Sequence, residues 1–368
     1  MPNKRDITAP KKENRTPFCS VAACRLGLNP GGYGSYMPDH IMLIETPLPW
    51  PRGYLREPGT LPPEVIELAR SLIYERPTGT PLRHRFLAIA PDADYSRPGY
   101  RRLIYYRRPE GLFADFSQVE YQVPTADVGP LAWALLQEPS QLPTFDRYRQ
   151  ETHTRDLLVC THGAVDAACS KFGYPLYRTL RDQYATPSDG QLRVWRVSHI
   201  GGHLFAPTML EMPGGRYWGF LGETEAEQVA RRSGDPTALR DNYRGWCGLQ
   251  GPFLQVAERE LFMQFGWDWL DYHKSGRIVA PDEGGANGQD DPTRPWAEVR
   301  IDFASPDGQV QGTYEARVEV ECTLAAPPRT GSAETYPYPQ YVVTQARFIP
   351  TAAYRLTPQP LLQTMATT

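Results

Sequence analysis

Two pairs of residues with soft or borderline donor atoms stand out in the chain. Cys160 and Cys169 have eight residues between them, and His199 and His203 have three. Thiolate and imidazole ligands together suit zinc, iron–sulfur clusters and copper. Zinc knuckles usually separate their cysteines by two to four residues, so the longer Cys loop leaves room to wrap something larger than one ion. Gly201 and Gly202, between the histidines, imply a bent loop that approaches a ligand closely, not a helix carrying both rings. Each pair also has a plainer reading: two free thiols, or a hydrogen-bonded turn. Whether the pairs meet decides between the readings.

The elements around them argue that they do. Leu157 to Cys160 is an apolar run that reads as a buried strand, and Leu192 to Val197 reads as another. If these strands are neighbours in one sheet, their C-terminal ends place both loops on the same edge. Pro175 is read as the first residue of an intervening helix. A hairpin follows, Thr208 to Met212 and Arg216 to Leu221 around Pro213-Gly214-Gly215, and then a helix from Glu223 to Arg232. The order is β-α-β-β-β-α. An earlier stretch repeats it: strands at Ile41 to Ile44, Arg85 to Ala90, Arg102 to Tyr106 and Gln118 to Val123, with helices after Pro62-Pro63 and at Pro130 to Gln137. Glu138 to Arg155, rich in proline and charge, reads as a linker. After Asp235 a helix is expected over Leu254 to Phe265, with Glu258-Arg259-Glu260 on its wet side. A loop over Pro281 to Pro295 follows, then three antiparallel strands at Trp296 to Phe303, Thr313 to Thr323 and Tyr341 to Phe348.

The expected architecture is therefore α/β. A tail (1–17) precedes a ligand-free domain (18–150), a ligand-bearing domain (151–235), a helix with a small antiparallel β-sheet (236–350) and a second tail (351–368). Composition narrows the function. The 368 residues hold 39 basic and 42 acidic side chains, a net charge of -3, which argues against a nucleic-acid partner. No long apolar run suggests a membrane span. The first residues are basic without an apolar core, so no secretory signal is read there and a cytoplasmic location is expected. Six cysteines are too sparse for a disulfide scaffold. There is no Walker A sequence, no dinucleotide-binding glycine motif after a strand, and no nucleophile elbow; Gly31-Gly32-Tyr33-Gly34 precedes the first strand and is read as a loop.

The remaining candidates are weaker. His162 is either a donor behind the ligands, a spare ligand or an exposed loop residue. Asp166 either caps a turn or accepts from a ligand N–H, and Arg196 precedes His199 on its strand. Cys19 and Cys24 have the spacing of half a plant-type cluster signature, against which free thiols are weighed. Cys247 and Cys322 are read as packing residues, and His40, His84, His153 and His273 as isolated.

The run from Cys160 to Cys169, followed by His199-Ile-Gly-Gly-His203-Leu-Phe-Ala-Pro, resembles the sucrase/ferredoxin-like family of thioredoxin-like ferredoxins. The firm match covers about Leu157 to Phe220, and the first half resembles the family more weakly. The β-α-β-β-β-α order seen twice is a thioredoxin-like order, so two thioredoxin-like domains in tandem are expected. The resemblance implies a non-Rieske [2Fe-2S] cluster bound by Cys160, Cys169, His199 and His203. The expected function is electron transfer between unidentified donor and acceptor proteins, an electron carrier more than a substrate-converting enzyme. Neutral imidazoles in place of two thiolates make such a cluster less negative and easier to reduce. A coordinated imidazole keeps a second nitrogen that can hold a proton, so electron and proton transfer are expected to be coupled. Two rivals remain: a zinc-stabilised binding module using the same four residues, and a metal-free thiol oxidoreductase using Cys160 and Cys169.

Overall fold

The computed structural model describes residues 17–151, 155–280 and 294–350. The expected tails, His153 and most of the loop read at Pro281 to Pro295 lie outside the described residues.

The first half consists of α1 (Cys19–Arg25), β1 (His40–Glu45), α2 (Pro63–Ala69), β2 (His84–Ile89), β3 (Tyr100–Arg107), β4 (Ser117–Pro124), α3 (Val128–Leu136) and a short β5 (Arg149–Gln150). The second half consists of β6 (Arg155–Cys160), α4 (Ala167–Leu180), β7 (Leu192–Val197), β8 (Met209–Met212), β9 (Arg216–Trp218), α5 (Glu223–Arg231) and β10 (Tyr243–Trp246). All ten strands form one mixed sheet in the order β10-β9-β8-β6-β7-β2-β1-β3-β4-β5. Adding five to each strand number of the first half gives the second half in reverse. β1 and β2 are parallel, as are β6 and β7, and the remaining strands of each half add antiparallel. The halves join through β2 and β7, which pair only at Ile89 and Val197.

Alternation along β1 explains how the halves stack. Ile41 and Leu43 share a buried core with Leu157, Leu158 and Trp195 of the second half. Met42 and Ile44, on the other face, pack with Val65 and Leu68 of α2 and Leu131 of α3. Within the first of these layers Arg193 on β7 reaches Glu120 on β4 at 2.8 Å and Asp156 on β6 at 2.8 Å. This network ties the two halves together below the site.

After β10 come α6 (Gly251–Phe265) and a separate antiparallel sheet of β11 (His273–Ala280), β12 (Trp296–Ala304), β13 (Gln311–Ala326) and β14 (Tyr336–Pro350). The sheet therefore has four strands where three were expected. β11 gives no strand signal in the sequence because its burial is irregular and it lacks clean alternation. Helix α6 has no wet side at Glu258 and Arg259, both of which are buried. It lies between β10 and the small sheet, and most of its buried polar atoms find partners, Arg259 Nε excepted. Glu258 accepts from the Tyr243 hydroxyl at 2.9 Å and from Trp269 Nε1 at 2.8 Å, while Arg259 donates to Asn29 at 2.6 Å.

Two further expectations change. Glu138 to Arg155 is not a bare linker, because Pro139–Tyr148 forms 3-10 turns and Arg149–Gln150 pairs with β4. Pro175 does not open a helix but sits inside α4, which starts at Ala167 behind the Asp166 cap. The cap and the run of small residues after it outweigh the proline's preference for a first turn. No helix of the described residues is long and apolar enough to cross a membrane.

Candidate metal centre

Strand β6 ends at Cys160, whose backbone N–H donates to the Thr208 carbonyl at 3.0 Å. The chain then turns and enters α4, where Asp166 accepts from Ala168 N–H at 2.8 Å. Cys169 falls in the first turn of that helix and is buried, as is Cys160. A helix start carries positive partial charge, which favours negative charge on a sulfur facing it. Close approach of the two cysteine segments needs Gly173: a Cβ there would run into the Cys160 carbonyl oxygen.

Strand β7 runs parallel to β6, with Cys160 opposite Val197. The histidine loop therefore leaves from the same edge as the cysteine loop. Gly201 (φ +90°) and Gly202 (φ +72°) adopt backbone conformations that side chains resist. Arg85 donates to the Ile200 carbonyl at 2.8 Å and Arg244 to the Gly201 carbonyl at 3.1 Å, fixing the bend. His162 is buried, not exposed, and fastens the loops together. Its Nδ1 accepts from the His199 backbone N–H at 3.3 Å, so its Nε2 carries the proton and donates to the Trp50 carbonyl at 3.0 Å. Burial lowers its pKa and keeps it neutral.

Cys160, Cys169 and His199 converge, with their donor atoms all within 4.8 Å of one another. His199 Nδ1 lies 3.8 Å from each sulfur. The hydrogen bond from Cys169 draws the Cys160 thiol well below its ordinary range, and His199 adds to this. Cys169, sharing its proton with that thiolate, is pushed up. His203 belongs to a second group, with Cys19 and Asp166. Its Nδ1 is 3.3 Å from Cys19 Sγ and 3.6 Å from an Asp166 oxygen, and its ring centroid is 5.5 Å from that of His199. Burial lowers the His203 pKa and pushes the Cys19 thiol up to about 11. Burial alone would raise Asp166, but hydrogen bonds from the Thr330 hydroxyl at 2.7 Å and backbone N–H at 2.9 Å hold it below its ordinary value.

The sucrase/ferredoxin-like family profile matches residues 34–245, more than half of the chain. The chain belongs to that family. No curated protein and no solved structure matched it. In this sucrase/ferredoxin-like protein the matched residues include both loops, Asp166 and the arginines that hold the bend, whereas Cys19 and Thr330 lie outside them.

The other candidates are scattered. Cys24 is exposed and apart from buried Cys19, which joins His203 instead. Cys247 is a buried packing residue, but Cys322 is exposed on the edge-facing half of β13. His40 and His84 are not isolated: they stack at 4.7 Å, side by side on paired strands. His273 is exposed. Arg196 is held at the strand end near Thr161 and over Tyr174. Sequence reasoning missed Thr330, which carries no local signal because it meets Asp166 only through the fold.

Proposed function

We propose that this protein is an electron carrier whose Cys160, Cys169, His199 and His203 hold a [2Fe-2S] cluster, each half of the large sheet being a thioredoxin-like unit. The arrangement at His203 carries the reading. A histidine that ligates a metal commonly has its other ring nitrogen held by a carboxylate, and here Nδ1 faces Asp166 and Cys19, leaving Nε2 for the metal. Two buried sulfurs and the His199 Nδ1 supply the other donors. Such a cluster supplies one-electron redox chemistry.

The chain's own residues do the rest. Arg85 and Arg244 fix the histidine loop, and His162 fixes the His199 backbone against the Trp50 loop. The first half, which lacks ligands, acts as the scaffold behind that loop. With Nδ1 turned to the sulfurs, His199 keeps Nε2 as the place where a proton is held or lost; the residue is only partly buried.

A second reading has its own support. Three donors within 4.8 Å also suit one tetrahedral ion, which makes the protein a zinc-stabilised module. Metal, sulfide and ultraviolet-visible analysis of anaerobically purified protein separates the two. The cluster reading expects about two irons and two sulfides with absorption bleached by dithionite. One zinc, with failed iron–sulfide reconstitution, establishes the second reading. No metal, with a reversible Cys160–Cys169 disulfide, establishes the thiol oxidoreductase. For the iron form, the potential is expected to fall by about 59 mV per pH unit where reduction takes up one proton; a flat potential from about pH 6 to 10 refutes proton coupling at histidine.

A further inference from the structure

Behind the histidine loop lies a cavity of about 620 Å³, walled by the glycine-rich loop at 32–35, the Ile200 to Gly202 bend and the start of α6. Pockets of roughly 300–1,000 Å³ are the usual size for small-molecule ligands. Four arginines line it, Arg76, Arg83, Arg85 and Arg244, and no acidic residue does.

The arginines are not balanced by the wall. Arg85 donates to Ser35 Oγ at 2.6 Å, the Tyr217 hydroxyl at 2.5 Å and the Ile200 carbonyl, all neutral acceptors. Arg244 is 3% exposed and donates to the carbonyls of Gly201 and Tyr33, while its Nε has no partner. Arg76 donates only to the carbonyls of Thr80 and Ile73. Arg83 alone reaches a carboxylate, Asp39 at 3.5 Å, which lies outside the lining. Cys160 and Cys169 act electrostatically on Arg244, but neither lines the cavity. Burying guanidinium groups without a counter-charge is costly. The start of the fifteen-residue α6 adds the positive end of a helix dipole, and its cap residue Gln250 makes no side-chain cap bond. Met37, Pro81 and Leu82 supply apolar surface beside the charges.

We infer that this cavity binds a small organic anion, a phosphate or carboxylate group on a flat apolar body, seated on Arg85 and Arg244 and guided in by Arg76 and Arg83. Guanidinium forks match both head groups. The site is separate from the metal donors, so its test does not depend on which metal is bound. The same two arginines hold the histidine bend, so the ligand sits one hydrogen bond away from that loop.

Calorimetric titration of the full chain tests it, with phenyl phosphate, benzoate and inorganic phosphate as probes and benzylammonium as the cationic control. At least one phenyl anion is expected to bind with a Kd at or below about 1 mM. Preference for phenyl phosphate assigns a phosphate ligand, and preference for benzoate a carboxylate. The double variant Arg76→Gln/Arg83→Gln is expected to weaken binding about tenfold. If that variant fails to fold, Arg83→Glu, at a half-exposed position, takes its place and is expected to weaken binding at least as much. The inference is overturned if neither phenyl anion saturates, if the cation binds equally well, or if the folded variant binds like the parent.

Discussion

Substituting Gly173 by alanine tests whether the packing of α4 on the end of β6 sets the distance between the two cysteines. Gly173 is one turn beyond Cys169 on α4. A Cβ added there meets the Cys160 carbonyl oxygen well inside contact distance, with the carbonyl carbon at 3.1 Å and Val159 Cγ1 at 3.7 Å. The obstacle is backbone, so the helix must retreat by about 1 Å, and overpacking of this kind costs roughly 1–3 kcal/mol. The helix itself gains about 1 kcal/mol from replacing glycine. The net expectation is a loss of up to about 2 kcal/mol, accompanied by a displacement of Cys169 from Cys160. Gly129→Ala in α3 is the control. Its added Cβ meets the end of the flexible Glu64 side chain, which can swing away, and Pro62 Cβ at 3.1 Å, which must give by a few tenths of an ångström, so that variant keeps at most about 1 kcal/mol of helix gain. Thermal unfolding of parent and both variants, with metal content measured on the same samples, is the assay. Gly173→Ala should melt below the parent with reduced metal, and Gly129→Ala at or above it with metal unchanged. If Gly173→Ala melts and loads like Gly129→Ala, the packing argument is wrong.

Three other perturbations give independent checks. Arg193→Met leaves Asp156 buried without its cation, while Glu120 keeps its pair with Arg102; a loss of about 3–5 kcal/mol is expected from denaturant unfolding, and a change under about 1 kcal/mol contradicts the role given to this network. Burial alone would raise the Glu211 carboxyl, but Arg232, Arg155 and Arg216 hold it at about 2 against an ordinary 4.5. A depressed carboxylate contributes stability above its unfolded value and loses it as pH falls, so about 3 kcal/mol should vanish between about pH 4.5 and 2. The stability gap between parent and Glu211→Gln should close over that window, and a gap independent of pH refutes the assignment. Asp166→Ala removes the α4 cap and both Thr330 contacts. A loss of about 1–2 kcal/mol is expected from the cap alone, with weaker metal retention in a chelator challenge; unchanged retention refutes the positioning of His203 by Asp166.

How far the sequence could be read depended on the distance between partners. The strands that present the ligand loops were visible because apolar runs ending at Cys160 and Val197 are local patterns. The parallel pairing that brings their ends together was legible only as a condition, because strand neighbours are set by contacts between distant segments. The start of α4 was misplaced because Pro175 is a strong local mark that competes with the equally local Asp166 cap; the Thr330 hydrogen bonds to Asp166, 164 residues away, carry no sequence signal. His162 looked exposed because its partner, the Trp50 carbonyl, comes from the other half of the chain. The wet face assigned to Glu258 and Arg259 disappears for the same reason: β10 and the small sheet cover α6 from two sides, which no helical period within α6 reveals.

The contact between Thr330 and Cys19 spans 311 residues and sits against His203. During synthesis the cysteine and histidine loops emerge well before that contact can close. At ribosomal speeds of about 5–20 residues per second, Cys19 waits roughly 16–60 s for Thr330 to be made. Asp166 and His203 are made within that interval and gain their Thr330 and Cys19 surroundings only at its end. The turn between the last two strands thus completes the surroundings of His203 and Asp166 long after those residues are made.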